Sequence, residues 1–370
     1  MTLTTSTITA PAPAPPPAAP AADDQVERLL RTPVGRTVAR HLGPAVVRAD
    51  LSGTLRAIDT ALHASPLVIP PATTDVLAGG KRLRPLLVIA TSRTVDDPPP
   101  RLRERAVLGA TAVELLHLAS LVHDDIMDQA ATRHGVATIS ARGGDTLALL
   151  AGDCLIGHAH TAAAALHRAA GGILGRTLVR LCEGQAEEWS TVLDTDRTMR
   201  SYYSAIDGKT ASLFEAACRL GALAAGHGPG ATAALGGYGR LLGLGYQLRD
   251  DLLDLTASPD AAGKPIGHDL ANGVYTYPTL WTLGRDPRLA TLLRALAHQH
   301  EPRARAGLAR EAADRIRASG ALDATRRAIR AQREQCVSAL TQATGAEDLG
   351  RHGAGLLADL ADAVLDLDLG

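Results

Sequence analysis

Eight stretches of this chain repeat apolar residues at three- and four-residue spacing: 26–62, 101–130, 145–169, 172–190, 198–223, 230–256, 276–299 and 303–343. That spacing lines apolar side chains along one face of a helix. The alternating β-branched pattern of a half-buried strand is nearly absent. A chain patterned this way has to pack helix on helix. Breakers mark the joints: "VDDPPP" at 95–100, "RGG" at 142–144, "LDTDRT" at 193–198, "GHGPG" at 226–230 and "SPDAAGKPIG" at 258–267. No linker-like interruption separates the helices, and no short-period repeat of the solenoid kind occurs. The expectation is one all-α domain over residues 25–370, a bundle of ten or more helices. Residues 1–24 are Pro-, Ala- and Thr-rich and read as a disordered tail.

Composition removes several function classes. The net charge is -1, so no overall field favours nucleic acid or an acidic membrane. Four cysteines, none in a C-x-x-C pair, argue against a zinc site or a disulfide framework. They fit a reducing compartment, hence a cytoplasmic protein. The first residues lack the basic start and apolar core of a signal peptide. No uninterrupted apolar stretch reaches bilayer-spanning length, so no transmembrane segment is expected. "LALLAGDCLIGHAHTAAAAL" comes closest, but Asp153, His158 and His160 interrupt it, which makes it a core helix.

Two acidic clusters stand out against this apolar background. In "LVHDDIMDQAATRHG", Asp124 and Asp128 are four apart and share a helix face, with Asp125 beside them. Even a neutral polar group buried without a partner costs about 2–7 kcal/mol. These carboxylates therefore need positive charge against them, or a water-filled cavity. Paired carboxylates suit a hard cation, and Mg²⁺ commonly bridges a few of them to substrate phosphates. A solvated acidic face explains this one cluster equally well. "YQLRDDLLDL" repeats the geometry with Asp250, Asp251 and Asp254 on another apolar helix. Two such faces opposed would make a two-sided metal cradle for a diphosphate. A di-iron bundle, the competing metal reading, needs Glu-x-x-His motifs on facing helices, and no such pair is found.

The basic residues point the same way. "GGKRLRP" opens a helix, where free N–H groups favour an anion, and Lys81 and Arg84 share a turn that can clamp a phosphate. Of 38 basic residues only three are lysines: Lys81, Lys209 and Lys264. In a chain this rich in arginine, lysine persists where a compact, mobile ammonium is needed. All three fall in segments suited to phosphate. Arg133, nine after Asp124, offers another cation from the continuation of that helix. His117 lies two helical turns before Asp124 and can reach the same cavity, whereas His123 reads as a hydrogen-bonded core residue.

Taken together, "GGKRLRP", "HLASLVHDDIMD", "GKTASLF", "GYQLRDDLLDL" and "GKPIGHDLANGVYTYP" resemble the all-trans polyprenyl diphosphate synthases, the chain-elongating isoprenoid prenyltransferases. The likeness runs from about Gly79 to Pro278 in the family's order. It implies a helical bundle around a deep central cavity, a homodimer, and three Mg²⁺ ions. It implies that Asp124, Asp128 and Asp250 coordinate Mg²⁺, with Asp254 and Asp269 assisting through water. Arg133, Lys209 and Lys264 would hold the allylic diphosphate. Lys81, Arg84 and His117 would hold isopentenyl diphosphate, and Thr210 and Gln247 would lie along the reacting carbons. His134 departs from the pattern, because the family usually carries a second arginine there that binds isopentenyl diphosphate. Val274 stands where some members carry lysine. Ala119, five before Asp124, and its neighbour Ser120 are small where short-chain members place a bulky aromatic, which implies products of twenty carbons or more. Two other readings stand beside this one: a terpene cyclase-like enzyme on the same fold, and a non-catalytic subunit of a heteromeric synthase.

Overall fold

The computed structural model describes residues 22–70, 73–96, 98–133, 135–256, 267–344 and 350–367. His134, Lys264 and most of the expected tail lie outside these residues. Elements follow one another as α1 (Ala22–Arg31), α2 (Pro33–Leu42), α3 (Pro44–His63), α4 (Thr74–Ala78), α5 (Leu83–Thr91) and α6 (Leu102–Met127). A short hairpin follows, β1 (Thr132–Arg133) and β2 (Val136–Ala137). Then come α7 (Ile139–Gly143), α8 (Asp145–Leu166), α9 (Ala170–Ser190), α10 (Met199–Ile206), a π-turn at Asp207–Ala211, α11 (Ser212–Ala225) and α12 (Pro229–Thr256). The chain closes with α13 (His268–Ala271), α14 (Tyr277–Leu283), α15 (Pro287–His298), α16 (Pro302–Ala318), α17 (Ala321–Thr344) and α18 (Arg351–Leu365).

The all-α expectation is met, but several periodic stretches divide. The first becomes α1, α2 and α3, because Thr32 caps α2 and Gly43, at φ 86, turns the chain into Pro44. Asp286 and Pro287 restart the chain as α15, and Gly320, at φ 85, separates α16 from α17. Helix α1 starts at Ala22, inside the segment assigned to the tail. The continuation expected after Asp128 is not helical. Instead Thr132 pairs with Ala137 and Arg133 with Val136 in an antiparallel hairpin.

Helix α6 runs through the middle of the bundle against α8, α11, α5 and α3, and α12 lies between α11 and α17. Val113, Leu115, Leu116, Phe214, Tyr238 and Leu242 are fully buried there. Both α6 and α8 are long and apolar enough to cross a membrane by length and composition alone, although Glu114 and Asp153 interrupt them. The bundle buries most of the apolar window of α6 but only 33% of that of α8. The outer face of α8 carries exposed Leu149 and Leu150.

Candidate active site

The first acidic wall is the C-terminal end of α6. Asp128 caps the helix, and its N–H donates to the Asp124 carbonyl at 2.8 Å, so the two carboxylates keep the same face past the last turn. Burial pushes the Asp124 carboxyl up to about 6. Lys209 and Arg133 oppose the rise, and Asp128 and Glu188 add to it. Asp125 belongs to a different arrangement. It is buried and accepts from Arg133, with Nη2 at 2.9 Å and Nε at 3.0 Å. Arg133 thus comes from β1 rather than from a longer helix, and its carboxylate partner fixes it beside the cluster.

The second wall is the C-terminal end of α12 with α13. Asp250 is exposed, while Asp251, next to it, turns into the core at 1% exposure. The Asp254 carboxylate accepts the N–H groups of His268 at 3.2 Å and Asp269 at 3.4 Å, which ties α13 to α12. Burial raises the Asp254 carboxyl. It raises Asp269 much further, with Asp254, Asp251, Asp250 and Glu188 adding to the rise. Acids crowded in this way favour any cation that enters.

Beside the first wall sits Lys209, on the π-turn that joins α10 to α11. Its ammonium donates to Glu188 of α9 at 2.6 Å. Burial alone would lower its pKa, but Glu188, Asp124 and Asp128 outweigh that and raise it. Two glycines make this approach possible. A Cβ on Gly184 would lie 2.4 Å from the Lys209 nitrogen, and one on Gly208 would lie 2.5 Å from the Arg180 carbonyl. Helix α9 and the π-turn therefore touch backbone to backbone. Thr210, next on the turn, donates to Gln247 Oε1 of α12 at 2.7 Å.

The basic segment before α5 is built around a residue that the sequence reading passed over. Arg82 adopts φ 44 and turns its side chain inward, where it donates to Glu114 of α6 at 2.6 Å and to the Leu77 carbonyl at 2.7 Å. Both partners of this ion pair are almost fully buried. Glu114 has Glu-x-x-His spacing with His117, but Arg82 occupies it. The pair anchors the segment, which leaves Lys81 exposed and puts Arg84 in the first turn of α5. Arg84 lies 5.3 Å over the Phe214 ring. Its Nε and the Nδ1 of His117 are both buried without a hydrogen-bond partner. Burial, with Arg84, Arg82 and Arg133 nearby, holds His117 well below the ordinary histidine range and therefore neutral. A neutral imidazole and an unpaired guanidinium N–H can both donate to an anion. His123 points elsewhere, reaching the Leu149 carbonyl of α8 at 3.2 Å.

Among the described residues, no three His, Cys, Asp or Glu side chains close around one point to cage an ion. The carboxylates instead form two walls with a shared neighbour, because Glu188 acts on both Asp124 and Asp269. Oxygen donors spread over two walls suit a hard cation that is shared with substrate oxygens. A separate cavity of about 240 Å³ between α9 and α11 contains none of these groups, and Glu215 holds its Arg180 and Arg219.

The polyprenyl synthetase family matches residues 67–312. The chain belongs to that family. It is 34% identical over 272 residues to nonaprenyl diphosphate synthase of Mycobacterium tuberculosis, covering 72% of this chain and 80% of that one. It is 38% identical over 220 residues to heptaprenyl diphosphate synthase component 2 of Geobacillus stearothermophilus, covering 59% and 67%. Among solved structures, polyprenyl synthase from Caulobacter crescentus, complexed with calcium and isoprenyl diphosphate, superposes with a TM-score of 0.76 at 31% identity over 92% of this chain and 97% of that one. The protein is thus a trans-prenyltransferase of the polyprenyl diphosphate synthase class.

In this polyprenyl synthetase, the sequence motifs hold most of the residues described above. They miss Arg82 and Glu188. Arg82 sits inside a quoted motif, but only its left-handed backbone turns it inward. Glu188 stands outside every motif, and the packing of α9 against the π-turn brings it in.

Proposed function

We propose that this polyprenyl synthetase condenses an allylic diphosphate with isopentenyl diphosphate to give an all-trans prenyl diphosphate of twenty carbons or more. One observation supports the reading: Glu188 acts electrostatically on Asp124 of the first wall, on Asp269 of the second and on Lys209, which fits two walls set around one site. In this proposal Asp124, Asp128 and Asp250 hold Mg²⁺, three ions in all, with Asp254 and Asp269 acting through water. When bound, Mg²⁺ neutralises the departing diphosphate and eases ionisation of the allylic C–O bond.

The protein's own groups do the rest. Lys209, Lys264 and Arg133 grip the allylic diphosphate. Lys81, Arg84 and His117 grip isopentenyl diphosphate, with His134 at the place of the usual second arginine. Thr210 and Gln247 lie along the reacting carbons, and the apolar bundle keeps water from the allylic cation. The double bond of isopentenyl diphosphate attacks that cation to form the new C–C bond. The proton it sheds goes to the departed diphosphate. Small Ala119, buried on α6 one residue before Ser120, supports the longer product. In this reading the chain from α1 onward forms one cytoplasmic domain. The exposed Leu149 and Leu150 of α8 support a homodimer across that face. A second reading, a heteromer, follows from the "component 2" in a relative's name.

The test is product analysis with one allylic diphosphate and Mg²⁺, with and without isopentenyl diphosphate, on the purified chain alone. Elongated prenyl diphosphates that require isopentenyl diphosphate support the proposal. Cyclised or hydrolysed products formed without it support the cyclase reading. No turnover points to a subunit that needs a partner chain.

A further inference from the structure

The aspartate of the second cluster left out of the metal set, Asp251, ends a buried chain of hydrogen bonds. Its Oδ2 accepts from the Tyr202 hydroxyl of α10, and its Oδ1 accepts from Gln247 Nε2 at 2.9 Å. Gln247 Oε1 in turn accepts from the Thr210 hydroxyl at 2.7 Å. Tyr202 and Asp251 are each 1% exposed and Thr210 is 8% exposed, so water does not compete for these groups. Tyr202 is itself fixed. Its ring meets Tyr203 and Tyr277 edge-on, at 5.4 and 6.2 Å, and Arg197 lies 5.8 Å over its face.

An amide side chain is nearly symmetric in shape, and only its partners decide which end carries the oxygen. With Asp251 ionised, reversing Gln247 would set its oxygen against the carboxylate, two acceptors with no proton between them. The carboxylate therefore fixes the NH₂ end toward itself and the oxygen toward Thr210. Thr210 then has one choice: its proton goes to Gln247, and its lone pairs face away from that bond. We infer that Tyr202 and Asp251 are positioning residues, which act through Gln247 to set the Thr210 hydroxyl with its lone pairs toward the developing allylic cation. The inference deepens the proposed function and rests on it. Neither residue touches substrate. Tyr202 holds the carboxylate, the carboxylate holds the amide, and the amide holds the hydroxyl.

A double-mutant cycle on the full-length protein tests this, with Tyr202→Phe and Gln247→Met made singly and together. Each variant is read by kcat, by KM for both substrates and by thermal melting. Tyr202→Phe is expected to lower kcat about tenfold, within the range of small misplacements at a reacting centre, while both KM values stay within about twofold. In the Gln247→Met background it should lower kcat no further, although its effect on melting temperature persists. Should Tyr202→Phe fail to fold, Asp251→Asn takes its place in the same cycle, because an asparagine can donate to Gln247 and release the amide. Equal kcat losses in both backgrounds, or a loss seen only in KM or melting, would overturn the inference. If the wild type makes no condensation product, the proposed function fails instead. That outcome is distinct from an active wild type with an additive cycle.

Discussion

Gly184→Ala tests how the bundle places Lys209. The added Cβ would lie 2.4 Å from the Lys209 backbone nitrogen, 2.7 Å from the Ala205 carbonyl oxygen and 2.8 Å from the Gly208 carbonyl carbon. All three are backbone atoms, so no side chain can swing away. Ordinary contact begins near 3.4 Å, so α9 and the π-turn must separate by about 1 Å. Overpacking of this kind costs about 1–3 kcal/mol of stability. The functional loss should be larger. The same shift moves Lys209 from Glu188, now at 2.6 Å, and disturbs Thr210 at its bond to Gln247. A 1 Å misplacement can lower a rate by about 10²-fold. Initial rates at saturating substrates and a thermal melt measure both effects. Gly175→Ala on the same helix is the control, since nothing lies within 4 Å of its Cβ. It should gain about 0.5–1 kcal/mol of stability and keep its activity. A Gly184→Ala enzyme with wild-type kcat would refute the claim that this backbone contact sets the lysine.

Three further outcomes are expected. Burial holds the Asp251 carboxyl up at about 7, against 3.8 for a free side chain, so the folded state binds more protons than the unfolded one between those values. Its contribution to stability is therefore present at low pH and lost as pH rises through about 7, a change on the order of 4 kcal/mol. Asp251→Asn should gain stability relative to wild type between pH 4.5 and 7.5 in metal-free urea melts, and a flat difference would contradict this. Ala119→Tyr, at a site only 1% exposed, should shorten the product by at least one isoprene unit while the first condensation survives. An unchanged product distribution with a lower melting temperature would assign Ala119 to packing alone. His134→Arg should lower the KM for isopentenyl diphosphate and leave that for the allylic substrate nearly unchanged, because a guanidinium grips phosphate bidentately. Loss of activity would instead give His134 a role of its own.

Much of this arrangement is legible in the sequence because its signals are local. Three- and four-residue spacing reports helices, and Asp124 with Asp128 reports one face of α6. What the spacing does not carry is tertiary. The segment 198–223 reads as one helix, but contact with α9 through Gly184 and Gly208 sets a π-turn inside it. The Asp250–Asp251 pair reads as one cluster, although neighbouring helix positions point about 100° apart and place one carboxylate outside and the other in the core. Arg133 looks like the end of a long helix, but its bond to Asp125 belongs to a hairpin.

The central claim is that the two acidic walls act as one cradle. Calorimetric titration of inorganic diphosphate at saturating Mg²⁺ tests it, on wild type, Asp124→Ala and Asp250→Ala, each confirmed folded by its melt. If the walls share the ligand, either substitution alone should abolish measurable binding and lower turnover by about 10²–10³-fold, as losing one preorganised electrostatic group does. Wild-type diphosphate affinity in either variant would contradict the shared cradle.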